Sequence, residues 1–293
     1  MAIQNQRLTE AEYAQNFSDI HPPFETRDAA LVEANRCLFC YDAPCMKSCP
    51  TSINVPKFIK QIATDNVKGS AHTIFSSNIM GAGCSKVCPV EKLCEGACVY
   101  NFMHEEPINI ARLQRYSTEM AMEKKWQLFD RKPSTGKRVA VVGAGPAGLS
   151  CAHTLSREGI DVTIYEKEGR GGGLMTYGIA AYKVTPEFCE DEVQYILSIG
   201  GIDIKYNQAL GRDVQLADLQ REYDAVYPTR TRHRQARRLP NHVVGRAQRN
   251  SGQPRQSDPF GVRHHGIGGT RCQWTPCASG FGPNLYPRSG PSD

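Results

Sequence analysis

Eight of the chain's twelve cysteines lie between Cys37 and Cys98, in two runs. The first reads Cys37-x2-Cys40-x4-Cys45-x3-Cys49 and is followed by Pro50. The second reads Cys84-x3-Cys88-Pro89-x5-Cys94-x3-Cys98. Soft thiolates match iron–sulfide cores, and close spacing lets one turn of chain wrap several corners of a cuboidal cluster. A proline after a ligating cysteine turns the chain away from the metal. In two-cluster ferredoxins the cysteine before that proline ligates the other cluster, and the same crossover is open to Cys49. Zinc is the competing reading. All-cysteine zinc sites, however, repeat a Cys-x2-Cys knuckle, and only Cys37/Cys40 has that form. On spacing alone, each run can also hold its own cluster, with Cys84 among the ligands.

The segment Met1 to Phe17 is polar and has no apolar h-region, so no signal peptide is expected. No apolar run reaches the length of about 18 residues that a membrane span needs. Cysteine-rich chains without a secretory signal point to a reducing cytoplasm and to metal or redox chemistry rather than disulfides.

A second signal begins about 45 residues after Cys98. Arg138 to Val142 (RVAVV) reads as a buried strand, followed by Gly143-x-Gly145-Pro146-Ala147-Gly148 and a helix to about Glu158. Gly143 makes the tight turn, Gly145 lets the backbone approach a pyrophosphate, and Gly148 lets helix and strand pack closely. The pyrophosphate then sits at a helix N-terminus. A second strand, Asp161 to Tyr165, ends at Glu166, which is placed to accept hydrogen bonds from a ribose and is followed by Lys167. Gly171-Gly172-Gly173-Leu174 is a further turn that lets a flavin pass close to the backbone. Clusters move single electrons and flavins convert hydrides into single electrons, so the two signals together indicate an electron-transfer flavoenzyme.

In the first part, Asp28 to Phe39 reads as a helix delivering Cys37 and Cys40, and Asn54 as an N-cap with Pro56 in the first turn. Asn109 is expected to cap a helix to about Trp126. On it Ile110, Leu113, Gln114, Ser117 and Met120 share one face, so Gln114 is a polar residue on a stripe fit for burial. Ile202 to Tyr206 and Ala225 to Tyr227 read as further strands.

These residues resemble the flavin- and iron–sulfur-bearing portion of dihydropyrimidine dehydrogenases, especially the flavin subunits of the bacterial NAD-dependent enzymes. More broadly, they resemble the small subunit of glutamate synthase. The resemblance is carried by Arg36 to Pro50 (RCLFCYDAPCMKSCP), Gly83 to Pro89 (GCSKVCP), Pro107 to Gln114 (PINIARLQ) and the Gly143 fingerprint, and it extends to about Tyr227. It implies that one cluster takes three cysteines and a glutamine. Carried over, Cys37, Cys40, Cys45 and Gln114 hold one cluster, Cys49, Cys88, Cys94 and Cys98 hold the other, and Cys84 is a spectator. It also implies a route: NAD(P)H gives hydride to FAD, and single electrons cross two [4Fe–4S] clusters to an FMN-containing partner subunit that reduces uracil or thymine. Lys183 stands where many members have arginine near the flavin, and is expected to touch FAD. Two alternatives remain: a glutamate synthase small subunit, or an iron–sulfur electron carrier with no catalysis of its own.

The expected fold is therefore α followed by α/β. A helical double-cluster domain (1–130) and a linker (131–137) precede the N-terminal half of a doubly wound FAD-binding domain (138–227). The tail, 228–293, is expected to be disordered. It holds eleven Arg, no Lys, no Glu and two Asp, whereas residues 1–227 hold 24 basic and 28 acidic side chains, so the net charge of +5 comes from the tail. The family continues past this point with a nicotinamide-binding domain and the second half of the FAD domain. The abrupt change of composition predicts a shift of reading frame near Tyr227. Read one base later, the codons from Pro228 to Gln235 permit Leu-Leu-Gly-Leu-Gly-Ile-Gly-Lys. A basic tail that binds nucleic acid is the alternative, but such tails mix Lys with Arg. Cys272 and Cys277, near His264 and His265, read as a chance grouping.

Overall fold

The computed structural model describes residues 9–11, Asp19, 21–229 and the backbone of 244–245. Helix α1 (Arg27–Arg36) starts at Thr26, whose hydroxyl accepts the Ala29 N–H. It ends at Cys37, which is already extended, and Phe39 takes φ 50°. Cys37 and Cys40 thus sit beyond the helix expected to carry them. An α-helix would aim them along one rising path, and the left-handed step at Phe39 curls them into a loop instead.

A short turn of helix, α2 (Pro44–Lys47), carries Cys45. Asn54 caps α3 (Val55–Ala63) through a bond from the Lys57 N–H. Helices α4 (Val67–Ser77) and α5 (Gly81–Val87) follow, the second leading into Cys88 and Pro89. The longest helix, α6 (Ile110–Glu123), buries Ile110, Leu113, Gln114 and Ser117 as the stripe requires. It also buries Arg115, which the pattern left on the outer face and which pairs with Asp19 and Glu119. The Asn109 side chain makes no capping bond. The free N–H groups of α6 go to two glutamates instead: Glu33 Oε1 takes Asn109 N–H at 2.8 Å and Glu95 Oε1 takes Ala111 N–H at 2.8 Å. Each glutamate belongs to a different cysteine run, so both runs are tied to one helix end.

The sheet begins with β1 (Arg138–Val142), followed by α7 (Pro146–Arg157), β2 (Asp161–Tyr165), α8 (Leu174–Tyr177), α9 (Pro186–Leu197), β3 (Ile202–Lys205), α10 (Leu216–Glu222) and β4 (Ala225–Pro228). Strand order is β3-β2-β1-β4, all parallel, and the backbone of β5 (Val244–Gly245) adds antiparallel to β4. Buried β-branched strands with a helix after β1 are the doubly wound pattern the sequence indicated. The remaining residues of 230–293, on which the frame-shift and basic-tail expectations and the His/Cys grouping fall, lie outside the described residues.

The segment 131–137 is not a free linker. Its backbone bonds to the sheet domain, Lys132 N–H to Arg157 O at 3.1 Å and Thr135 N–H to Gly159 O at 2.8 Å. The largest apolar cluster runs across it, joining Phe75, Met80 and Ala82 of the helical part to Val141, Leu149 and Ile164 of the sheet. A second cluster, with Phe58, Ile59 and Leu113 at 0% exposure, lies wholly in the helical part and packs against Cys37, Cys45, Cys49 and Cys94. Each such side chain contributes about 2 kcal/mol of burial, enough to hold the cysteine loops in place.

Candidate iron–sulfur and flavin sites

Four cysteines, Cys37, Cys40, Cys45 and Cys98, line one small cavity, partly open to solvent, whose inner wall is apolar (Val55, Ile108). Burial, with Cys37 and Cys98 beside it, pushes the Cys45 thiol up to about 12. Cys98 is 7% exposed and is brought here because Tyr100, two residues on, donates its hydroxyl to Arg36 O at 2.7 Å. Arg36 is itself held by Glu33 at 2.9 Å.

This grouping corrects the partition implied by the resemblance at one exchange. Cys98, and not Gln114, stands with Cys37, Cys40 and Cys45. Gln114 is 8% exposed and donates Nε2 to Gly81 O at 2.7 Å, so it packs on α5, the helix that leads to Cys88. Sequence spacing could not reveal this, because Cys98 returns to the first run only through a three-dimensional tie.

The other cysteines group around Cys88. Cys94 is pushed up to about 12 by burial, with Glu95 and Cys49 adding to it. Cys88 is held below the ordinary thiol range, first by a hydrogen bond from Cys84, and Cys94 and Cys49 are its other thiol neighbours. Cys84 is correspondingly raised and also bonds Asn78. Ligation by a metal core removes the protons from such thiols. A tetrahedral zinc with bonds of about 2.3 Å holds its sulfurs about 4 Å apart. Among the described residues no three His, Cys, Asp or Glu side chains converge closely enough for one ion.

The glycine turns form one cradle. Gly143 takes φ 101°, and Glu166, 6% exposed, accepts Ala144 N–H at 2.6 Å and Glu168 N–H at 3.0 Å. Each carboxylate oxygen keeps a further lone pair for a ribose hydroxyl. Gly145 is the N-cap of α7 and has no side-chain cap; Pro146 and Ala147 are exposed at its first turn. That leaves the amides of the helix end without a capping side chain. Gly172 N–H bonds Ala144 O at 2.8 Å, clasping the second turn on the first. A Cβ at Gly173 would lie 2.8 Å from Gly145 Cα, so the two turns come this close only because Gly173 lacks a side chain. Beside Gly171, the buried Tyr206 hydroxyl has no partner. Both observations fit a bound dinucleotide. Leu174 is 76% exposed on the rim. Lys167 pairs with Glu168 at 2.8 Å, and Lys183 lies over the Tyr182 ring at 6.0 Å.

A Cβ at Gly148 would overlap the Gly143 carbonyl oxygen, which is backbone and cannot move aside. Gly148→Ala is therefore expected to destabilise the chain by about 3 kcal/mol and to abolish flavin binding. A thermal melt and a flavin-fluorescence titration check this.

Comparison with known proteins agrees with both halves. A family model described as dihydropyrimidine dehydrogenase domain II, 4Fe-4S cluster, matches residues 13–126, and one for an NAD(P)-binding Rossmann-like domain matches residues 141–188. The NAD-dependent dihydropyrimidine dehydrogenase subunit PreT of Salmonella typhimurium is 42% identical over 215 residues, covering 73% of this chain and 52% of that protein. Its counterpart in Escherichia coli K12 is 40% identical over 215 residues, with the same coverage. The glutamate synthase [NADPH] small chain of Escherichia coli K12 is 35% identical over 212 residues, covering 72% of this chain and 44% of that one. The chain thus spans about half the length of the curated relatives it matches. Among the described residues no helix is long and apolar enough to cross a membrane.

Proposed function

Because the chain belongs, over the 215 residues it shares with them, to the family of the NAD-dependent dihydropyrimidine dehydrogenase subunits, we propose that it is the electron-input part of such an enzyme. When bound, FAD and two [4Fe–4S] clusters would split a hydride taken from NAD(P)H into single electrons and carry them onward. The substrate of the assembled enzyme is then uracil or thymine, reduced on an FMN-containing partner subunit.

The residues divide the work. We assign Cys37, Cys40, Cys45 and Cys98 to one cluster, and Cys49, Cys88, Cys94 and Gln114 to the other. Cys84 is a spectator that bonds Cys88. Apolar side chains form the inner wall of the first group. Gly143, Gly145 and Gly148 with the first turn of α7 take the pyrophosphate, Glu166 the ribose, and Gly172 and Gly173 the passage of the flavin. Lys183 is assigned to the flavin edge by resemblance alone. Leu38, which lines the first group, is 51% exposed, and an exposed apolar side chain beside a redox centre supports a partner that docks there.

The observation that carries this reading is the presence of two cysteine groups on the apolar cluster of the helical part and of one glycine cradle on the cluster that joins that part to the sheet. Anaerobic reconstitution of the full chain with iron, sulfide and FAD tests it. About eight iron atoms and one FAD per chain are expected. A colourless chain that binds neither would end the reading. The glutamate synthase branch remains second. The resemblance through Gln114 favours the pyrimidine branch, and electron transfer from the reconstituted chain to a pyrimidine-reducing partner, rather than to a glutamate-forming one, separates the two.

A further inference from the structure

Glu192 is a side chain the redox chemistry does not call for. It sits on α9 of the sheet domain, 0% exposed, and reaches across to the helical domain. Its Oε1 accepts the Gly83 N–H at 2.9 Å, and the backbone of Ala82 also bonds to it. Its Oε2 is buried with no partner. The acceptor lies at the first turn of α5, whose N-cap, Met80, offers no side-chain bond. Gln114 grips the same turn from the other side through Gly81 O. Gly83 is what lets the two domains meet here. A Cβ on it would stand 2.5 Å from Met175 Cε and 2.6 Å from Glu192 Oε2.

We propose that Glu192 is a positioning residue for electron transfer between the flavin-binding unit and the cluster nearer to it. It clamps α5, which leads into Cys88, against α9. This role rests on the reading of the two sites given above. The seam has other contacts, such as Lys86 over the Phe188 ring at 4.4 Å and Phe75 against Tyr195 at 5.3 Å. Those contacts slide, whereas a hydrogen bond between a buried carboxyl and a backbone amide fixes one register. With Oε2 unpartnered, the group serves as a neutral acid, and an amide of the same shape replaces it.

The test uses the full chain, reconstituted anaerobically with iron, sulfide and FAD, as wild type, Glu192→Gln, Glu192→Leu and Gly83→Ala. Two quantities are read: amide hydrogen exchange in the 80–87 segment, and the rate of cluster reduction after photoreduction of the flavin. Iron content serves as the control. Glu192→Leu strands a buried N–H, so exchange is expected to rise about tenfold. Electron transfer is expected to slow roughly tenfold at unchanged iron content. Gly83→Ala should do the same from the cluster side, and it decides the matter if Glu192→Leu does not fold. Glu192→Gln should stay within about twofold of wild type on both. Wild-type exchange and transfer rates in both Glu192→Leu and Gly83→Ala would overturn the role, as would a Gln variant as damaged as the Leu variant. A chain that takes up no FAD would refute the flavin reading instead, and the exchange measurement would still decide for or against the clamp.

Discussion

Cys98→Ala is expected to leave a chain that holds about four iron atoms after anaerobic reconstitution instead of about eight. The lost cluster is the one in the cavity lined by Cys37, Cys40 and Cys45. The effect is large because the cavity lining is largely apolar and holds no further thiol to replace the one removed. Cys84→Ala should retain both clusters, because the thiol is a hydrogen-bond partner of Cys88 and Asn78 and is assigned to neither cluster. Gln114→Ala should alter the spectrum of the surviving cluster and not of the lost one. An amide oxygen is a harder and weaker ligand for iron than a thiolate, so its removal changes a cluster more readily than it empties the site. The double variant, Cys98→Ala with Cys37→Ala, separates the two partitions. If the two residues serve one cluster, as the cavity groups them, one electron paramagnetic resonance signal is lost and the other survives. If both signals are disturbed, the partition implied by the family resemblance holds and the cavity grouping is misleading.

What was legible in the sequence was whatever a short stretch dictates on its own. The strand, turn and helix around Gly143 emerged with nearly the expected ends, since β-branched runs and glycine sterics act locally. Glu166 was equally readable from its place after β2. The identity of the cysteine ligands was also local, but their grouping was not. Cys98 joins Cys37 through a tyrosine hydroxyl on a backbone carbonyl 64 residues away, and no periodicity encodes that. The α6 cap shows the same limit: Asn109 is the N-cap, as expected, but its side chain makes no capping bond. Asn109 is a good capping residue in sequence, yet Glu33 and Glu95 converge on that helix end and take its amides. Glu192 gave no signal beyond one acid on an amphipathic helix, and only burial against Gly83 distinguishes it from the solvent-facing Glu190. The linker failed for a related cause: a polar, Pro-containing segment looks free until its backbone groups are found bonded to the sheet domain.

Glu192→Gln is expected to make the chain more stable at pH 8 than wild type, and no more stable near pH 5. Burial, the dominant cause, pushes the Glu192 carboxyl up to about 8, against an ordinary value of 4.5. Cys84 on the facing helix adds to the rise, and the Gly83 and Ala82 amides with Lys86 oppose it; Cys189 is the titratable neighbour on its own helix. The sign follows from proton counting. Above 4.5 the unfolded chain gives up this proton, while the folded chain keeps it until about 8. Folding therefore binds a proton throughout that window, and stability falls as pH rises through it. The group's full swing is on the order of 4 kcal/mol, and glutamine, which does not titrate, has none of it. For a chain of this size the difference in melting temperature between variant and wild type should open by roughly 10 °C between pH 5 and pH 8. Anaerobic melts of the cluster-loaded proteins at a series of pH values measure it. Parallel profiles for the two proteins would mean that Glu192 is ionised in the folded state, its charge matched by a group that the buried Oε2 does not reveal.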